Sequence, residues 1–304
     1  MSPPQISHYL QLIRLPNIFT VPSNVIVGYL ALQAGPASQL AGLIVSSVLL
    51  YISGIVFNDF FDLEQDWKNR PNRPLPSGRI SRRNALAIAI LTISGGNVIA
   101  LVTAGFAALC VTLSLSAIIL AYDYRLKSNA ISGTVAMAGA RFLNVVLGAS
   151  PAFLVLLSFS PGGFISDYGF QTLAIAATSI FLYVASIMIL SRAEERGASR
   201  TRNRVVLGII MTTIAYVAIA GYLIGWDHWF FLTLGIFACV VALTFNRHNL
   251  QSAESTQKII RNLVLSIIIL DSVFITASAG IVYGSATLLL LVPAITLAKK
   301  MYVT

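Results

Sequence analysis

From Leu15 to Asn58 the chain carries no charged residue, and from Asn84 to Tyr122 it carries none either. Each run exceeds the roughly 20 residues that a membrane-spanning helix needs, and each is long enough for two spans. Tyr168–Ser191 and Val205–Trp226 continue the pattern as single spans. Lipid offers no hydrogen bonds to the backbone, so such segments must close their own as helices. Charged residues make up 10% of the 304 positions, against roughly 25% in a typical soluble domain. With 57% apolar residues and a mean hydropathy of +0.82, a soluble fold could not hide its apolar surface. The composition predicts an all-α integral membrane protein, one polytopic domain over 1–304.

The spans read as 11–33, 40–63, 84–104, 107–122, 130–157, 170–191, 205–225, 229–246 and 259–283. Short Gly/Pro turns such as Gly35-Pro36 and Pro161-Gly162-Gly163 separate several of them. A further apolar stretch, Ser285–Ala298, covers only about 21 Å as a helix. Arg14, the Lys68–Arg83 bases, Arg125 with Lys127, Arg192–Arg204, and Arg247, Lys258 and Arg261 all fall on one side if the spans alternate. The opposite loops hold no Lys or Arg. The positive-inside rule makes the basic side cytoplasmic, with the N-terminus inside, in the inner or plasma membrane. Lys299-Lys300 prefers that same side, which leaves room for a short tenth span. The net charge of +9 is therefore a topology signal and points to the lipid bilayer, not to nucleic acid. Met1-Ser2-Pro3-Pro4 lacks a basic start and runs into a full span, so no cleavable signal peptide is expected. Cys110 and Cys239 read as small apolar core residues. His8, His228 and His248 sit at span ends without metal-ligand spacing.

The first run ends in "FNDFFDLEQDWKNRPNRPLPSG", Phe57 to Gly78. On a helix Asp59, Asp62 and Asp66 lie within an arc of about 60°, with Glu64 nearly opposite. Three carboxylates on one face repel one another, and each costs roughly 2.5–3.5 kcal/mol at a membrane centre. Keeping them implies a neutralising cation. Oxygen-only donors at a helix end suit Mg²⁺, which takes one or two carboxylates plus substrate phosphates. The plainer alternative is a solvated helix end paired with Lys68, Arg70 and Arg73. Asn58 beside the acids and the following Arg-Pro-x-Arg-Pro-x-x-Ser-Gly favour the cation site.

"NDFFDLEQDWKNRPNRPLPSGRIS" resembles the first signature of the UbiA superfamily of intramembrane prenyltransferases. That resemblance implies a nine-helix bundle, here with a short tenth C-terminal segment, around a cavity open to lipid. It also implies two acidic motifs that hold Mg²⁺ and a polyprenyl diphosphate, whose allylic C–O bond ionises to prenylate an acceptor. Asn58, Asp59, Asp62 and Asp66 then inherit the metal role, while Arg70 and Arg73 face phosphate oxygens. "YDYRLK" resembles the family's Tyr-rich loop, with Lys127 in the place of a phosphate-contacting base and Tyr122 and Tyr124 beside the substrate. The plainer alternative keeps Arg125 and Lys127 as topology signals. "RFLNVVLGAS" carries Arg141, a base within a predicted span, which should face the bundle interior and have a partner. It matches an Arg that the family places on span five, with Asn144 and Gly148 one and two turns on; a structural Arg paired with a buried acid or carbonyl is the alternative. Arg14-Leu15-Pro16-Asn17 and Asn24 resemble the family's first helix, so Asn17 and Asn24 join the substrate side. Asp271, alone in span nine, should face inward, and pairing with Arg141 is open.

The second acidic motif departs from the family's Asp-x-x-x-Asp. In "LSRAEERGASRTR" Ser191 takes the first position and Glu195 the second, four residues on and on the same helical face, with Glu194 between them. Ser191, Arg192, Glu194 and Glu195 would border the substrate, and Glu195 is the metal ligand that remains. Guanidinium from Arg192 or Arg196 can carry diphosphate charge in place of a second metal. Ser-Arg-x-Glu, together with "AYDYRLK" and "RFLNVVLG", resembles the EboC-type branch of the superfamily. The leading reading is Mg²⁺-dependent transfer of a prenyl group from a polyprenyl diphosphate to a hydrophobic or amphiphilic acceptor. The runner-up is a non-catalytic protein of the same fold that binds a prenyl diphosphate or lipid-like metabolite. A secondary transporter comes third, and no internal repeat supports it. The charge asymmetry predicts that single cysteines placed at Ser77 or Ser199 are labelled from the cytoplasmic side alone; labelling by an impermeant reagent outside intact cells would reverse the topology.

Overall fold

The computed structural model describes residues 3–157, 167–193, 197–246 and 252–301, and within them every regular element is helical. Eight helices are long and apolar enough to cross a membrane among the described residues. The first span is broken into α1 (Pro3–Leu12), α2 (Leu15–Ile18) and α3 (Thr20–Ala31). The break sits at Arg14, whose φ of 47° and ψ of 53° are left-handed. Pro16 follows and cannot donate to the turn before it, so a helix begins again rather than continuing. α4 (Ala37–Phe61) carries the acidic face to its last turn, and α5 (Leu63–Asn69) follows after Asp62. Asp66 N–H still donates to Asp62 O at 2.8 Å, so the helical register of the acids survives the joint. The loop over 70–81 folds back onto the bundle. Leu75 and Ile80 pack with Leu12, Val56, Phe57 and Ala85, and Trp67 Nε1 donates to Pro76 O at 2.8 Å.

α6 (Arg82–Tyr124) has 43 residues and non-helical angles at Gly105, φ 81°. A straight helix of that length would reach about 64 Å, twice a hydrocarbon core. It is instead a hairpin of two spans: Asn97 Nδ2 donates to Ser116 Oγ at 3.0 Å, though a straight helix would hold them about 28 Å apart. After a 3₁₀ turn over Leu126–Ser128 come α7 (Ala130–Leu157), α8 (Asp167–Ser191), α9 (Arg200–Ile224) and α10 (His228–Asn246). The next spanning unit is jointed at Ser266 into α11 (Ala253–Leu265) and α12 (Ile267–Ala279). Tyr183 OH fills that joint, 2.7 Å from Ser266 Oγ and 3.1 Å from Leu263 O. Gly280, φ 89°, then reverses the chain into α13 (Ile281–Thr287) and α14 (Leu291–Met301). The C-terminal unit thus begins earlier than the 285 read from sequence, and 281–301 as a helix reaches about 31 Å, enough to span. α14 packs against α2.

Outward faces are apolar: Val102 and Leu223 are more than three-quarters exposed, as a lipid-facing surface requires. The two cysteines belong here. Expected in the core, Cys110 and Cys239 are both exposed. In lipid an apolar side chain gains nothing by turning inward, so periodicity does not separate core from surface. Inside, α3 and α7 approach until only glycine fits. A Cβ on Gly28 would stand 1.8 Å from Val145 O, and one on Gly148 2.0 Å from Val25 O. Gly148, met in sequence beside Arg141, therefore serves backbone approach. Gly148→Val should cost about 1–3 kcal/mol or more by overpacking. Thermal denaturation in detergent is expected to show a marked drop for it, while Gly208→Ala, where a Cβ would meet nothing, keeps the parental midpoint.

Candidate active site

α4, α6, α7 and α8 enclose a cavity of about 380 Å³. Its lining includes Arg14, Asn58, Arg70, Tyr122, Asp123, Arg141, Asn144 and Ser191, with an apolar wall from Leu50, Ile55, Leu115, Ile118, Ile119 and Met137. Charge is concentrated at one end, around the last turn of α4.

Each of the three aspartates there meets a base. Buried Asp59 accepts from Arg14 Nη2 at 2.9 Å and from Arg73 Nη1 at 3.4 Å. Buried Asp66 accepts from the same Arg73 Nη1 at 2.7 Å. Asp62 meets Lys127 Nζ at 2.6 Å, and that amine also reaches Asn58 Oδ1 at 3.3 Å. Each base arrives through a local break in regular structure. The left-handed Arg14 turns its side chain to α4, the 70–81 loop folds Arg73 back, and α6 ends at Arg125 before the turn that carries Lys127. Arg192 fixes that turn, because its Nη2 donates to Asn129 O at 2.7 Å. Gly133 leaves the room it needs: a Cβ there would lie 3.0 Å from Arg192 Nη2.

These contacts test whether the residues fit Mg²⁺. One nitrogen of Arg73 bridges Asp59 and Asp66, and one nitrogen of Lys127 bridges Asp62 and Asn58. The donor pairs therefore lie close enough to share a single positive charge, and all are hard oxygens. Among the described residues no group of three or more Asp, Glu, His or Cys is drawn together as ligands. Each carboxylate is already met by a base: Asp59 and Asp66 share Arg73, and Asp62 has Lys127. The donor set fits a hard divalent cation in the places the basic heads now take.

Deeper in the cavity Arg141 has its partners. Nη1 donates to Thr20 O at 2.8 Å and Asn24 Oδ1 at 3.0 Å, and Nη2 to Thr20 Oγ1 at 3.0 Å. Asn24 Nδ2 in turn donates to both carboxylate oxygens of fully buried Asp271, at 3.0 and 2.8 Å. The Arg141–Asp271 pairing left open by the sequence is thus relayed by an amide. Asn144 donates to Val21 O at 3.1 Å and accepts from Ser47.

Other expected residues stand elsewhere. Tyr122 lines the cavity, but Tyr124 is exposed and packs edge-on against Phe61 with centroids 6.2 Å apart. Two residues on a helix face opposite ways, so one Tyr-rich turn cannot deliver both. Asn17 is half-buried outside the lining, and its carbonyl accepts from Thr20 Oγ1 at 2.8 Å. Ser191 borders the cavity but spends its hydroxyl on Met188 O at 2.9 Å. Arg192 holds the Lys127 turn rather than lining the cavity. The helix needed to align Ser191 with Glu195 ends at Ser191; Glu194, Glu195 and Arg196 lie outside the described residues. Sequence reasoning missed Arg14 as a site residue, taking it as a topology base and part of the first-helix resemblance, and Asp123, hidden in "YDYRLK".

The profile of the UbiA prenyltransferase family matches residues 21–268. A digeranylgeranylglyceryl phosphate synthase from Methanothrix thermoacetophila is 36% identical over 161 residues, which cover 49% of this chain and 59% of that protein. One from Methanoculleus marisnigri is 31% identical over 238 residues, 74% of this chain and 78% of that protein. A UbiA homologue from Aeropyrum pernix K1, in its apo form, superposes with a TM-score of 0.64 at 16% identity, covering 86% of this chain and 97% of its own. A UbiA homologue from Archaeoglobus fulgidus bound to DMAPP and Mg²⁺ gives 0.51 at 16% identity, covering 92% and 98%. These superpositions establish the shared fold.

Arg73 holds Asp59 and Asp66, so a divalent cation taking those two carboxylates would have to displace it. Arg73→Gln should therefore lower the thermal midpoint in EDTA, because two acids lose their shared charge, and millimolar Mg²⁺ should restore it. The parent should respond to Mg²⁺ much less; equal Mg²⁺ shifts for both would remove the competition.

Proposed function

Since the chain belongs to the UbiA prenyltransferase family, we propose that it moves a prenyl group from a polyprenyl diphosphate to a hydrophobic or amphiphilic acceptor within the membrane, with Mg²⁺ as cofactor. The observation that carries this reading is the cavity: an apolar wall whose lining also holds Asn58, Arg14 and Arg70, next to Asp59, Asp62 and Asp66, which stand outside that lining and are paired with bases. A prenyl diphosphate has the matching halves. The wall of Leu115, Ile118, Ile119 and Met137 suits the hydrocarbon, and the charged end suits the diphosphate. The synthases from Methanothrix and Methanoculleus, and the Archaeoglobus homologue with its DMAPP and Mg²⁺, support the same donor chemistry.

Asn58, Asp59, Asp62 and Asp66 would hold Mg²⁺, which supplies charge neutralisation to the departing diphosphate. Arg70 and Arg73 are placed to donate to phosphate oxygens once the carboxylates engage the metal, as fork-like guanidinium geometry favours. Lys127, released from Asp62, offers a further donor at the same end. These preorganised positive groups favour the charge that develops as the allylic C–O bond breaks. Arg141 and Asn144, held by span one, shape the inner end, where the acceptor approaches. Ser191 in place of a carboxylate leaves the second acidic side weaker, which supports both the EboC-type likeness and a larger share of phosphate binding by arginine. The basic loops suit a cytoplasmic mouth, with diphosphate entering from that side.

Purified protein incubated with labelled prenyl diphosphates, Mg²⁺ and a membrane extract should release diphosphate as label enters a new lipid. Asp62→Ala and Asp66→Ala should each lower turnover by about a hundredfold or more and abolish the Mg²⁺ dependence of diphosphate binding. Affinity that ignores Mg²⁺ and is indifferent to both substitutions would move the weight to a non-catalytic binding protein.

A further inference from the structure

Asp123 is a charged side chain that the donor site does not use. It lies in the penultimate residue of α6, is 3% exposed, and borders the cavity beside Asn58 and Tyr122. On an unbroken helix its carboxylate would meet Lys127, four residues on. α6 stops at Tyr124, however, and the following turn swings Lys127 to Asp62 and Asn58. Arg14 is committed to Asp59, and Arg73 to Asp59 and Asp66. No hydrogen bond or ion pair reaches Asp123 among the described residues, although Lys127, Asp62, Arg14 and Asp59 act on it electrostatically. A buried carboxylate without a partner is costly in a stable fold, and one that faces a cavity invites a donor from what fills it. Asn or Ser would fill the same space without that cost.

We propose that Asp123 binds the acceptor's hydroxyl and takes its proton as the new bond forms. This rests on the prenyl-transfer reading above. The acceptor is then an alcohol-bearing amphiphile. Its oxygen bonds to the allylic carbon as the bond from that carbon to the diphosphate oxygen breaks. The bonding pair leaves with the diphosphate, and the hydroxyl proton passes to an Asp123 carboxylate oxygen, to be lost to water after product release. Nothing is oxidised or reduced. The product is an allylic ether. The placement suits the role: Asp123 shares the cavity lining with Asn58, Tyr122 and Arg141.

The test compares wild type with Asp123→Asn and Asp123→Glu, using labelled GPP, Mg²⁺ and a membrane lipid extract as acceptor. Asn keeps the size and can still accept a hydrogen bond but cannot accept the proton. Expected for Asp123→Asn are an unchanged thermal midpoint, unchanged Mg²⁺-dependent GPP binding, and a kcat lower by about 10²–10⁴-fold. Asp123→Glu should recover part of the rate. Wild-type product should release its label in mild acid, as allylic ethers do and carbon–carbon products do not. An Asn variant with wild-type kcat, or one that loses GPP binding in parallel with rate, would overturn the role, as would an acid-stable product. Those outcomes leave the prenyl-transfer reading intact. Failure of the wild type to transfer label from any prenyl diphosphate tried would instead remove that reading and this inference together.

Discussion

Carboxylates at the membrane end of a helix persist only where positive charge meets them, and here that charge comes from three places, two of them remote in sequence. Arg14 lies 45 residues from Asp59 in sequence, and Lys127 lies 69 residues from Asn58. In a low-dielectric setting an unpaired carboxylate costs several kcal/mol, and removing one partner of a buried pair costs more than the pair contributes. The fold's irregularities answer that demand. The left-handed turn at Arg14, the folded-back 70–81 loop and the early stop of α6 each deliver one basic head to the end of α4. The same arrangement makes the site responsive: groups held by exchangeable salt links can release their carboxylates when a better cation arrives with its phosphates.

What was legible in the sequence follows from which constraint acted. Lipid imposes length and a ban on unpaired backbone, so the uncharged runs delimit helices directly, and the overlong 82–124 segment had to turn near Gly105. Breaks inside a span leave weaker traces. Nothing in the composition distinguishes Arg14, a non-glycine in a left-handed conformation, from any residue before Pro16. The reversal at Gly280 was equally hidden, since a lone glycine in an apolar run reads as packing, and the C-terminal unit therefore seemed too short to span. Cys110 and Cys239 show the converse limit. Inward burial is a signal of water, and a chain in lipid does not write it.

At the site, the acids were legible because their spacing on one helix is a local property. Their partners were not, because a salt bridge across the bundle is a tertiary choice. The sequence offered Lys68, Arg70 and Arg73 as neighbours, and the fold retains Arg73 but takes Arg14 and Lys127 from elsewhere. Asp123 was concealed by the same logic. Tyr122–Lys127 reads as a loop whose bases and tyrosines carry the signal, so the acid between them draws no attention until the fold buries it against the cavity. The Ser191 substitution was visible as a departure, whereas the hydroxyl's own bond to Met188 and the end of α8 at Ser191 required coordinates.

The segment from Arg14 to Asn24 links the two ends of the cavity. Its first residue neutralises Asp59, and its Thr20 and Asn24 receive the guanidinium of Arg141. Asn24 passes that interaction to Asp271 on α12, so spans one, five and nine share one polar chain. A desolvated guanidinium tolerates few arrangements, because each donor needs an acceptor and water is not there to substitute. The register of α3 against α7 must therefore be held to within a fraction of a turn, and the Gly28–Gly148 contact holds it through backbone atoms that have no rotamers to relax. Two glycines that touch no ligand thus set where Arg141 can stand. Through the short stiff path of α3 and α2 they also set where Arg14 meets the acids. The geometry of the charged end is in this sense an outcome of apolar packing about four turns deeper, and a ligand that shifts Arg14 or Asp59 works against that packing.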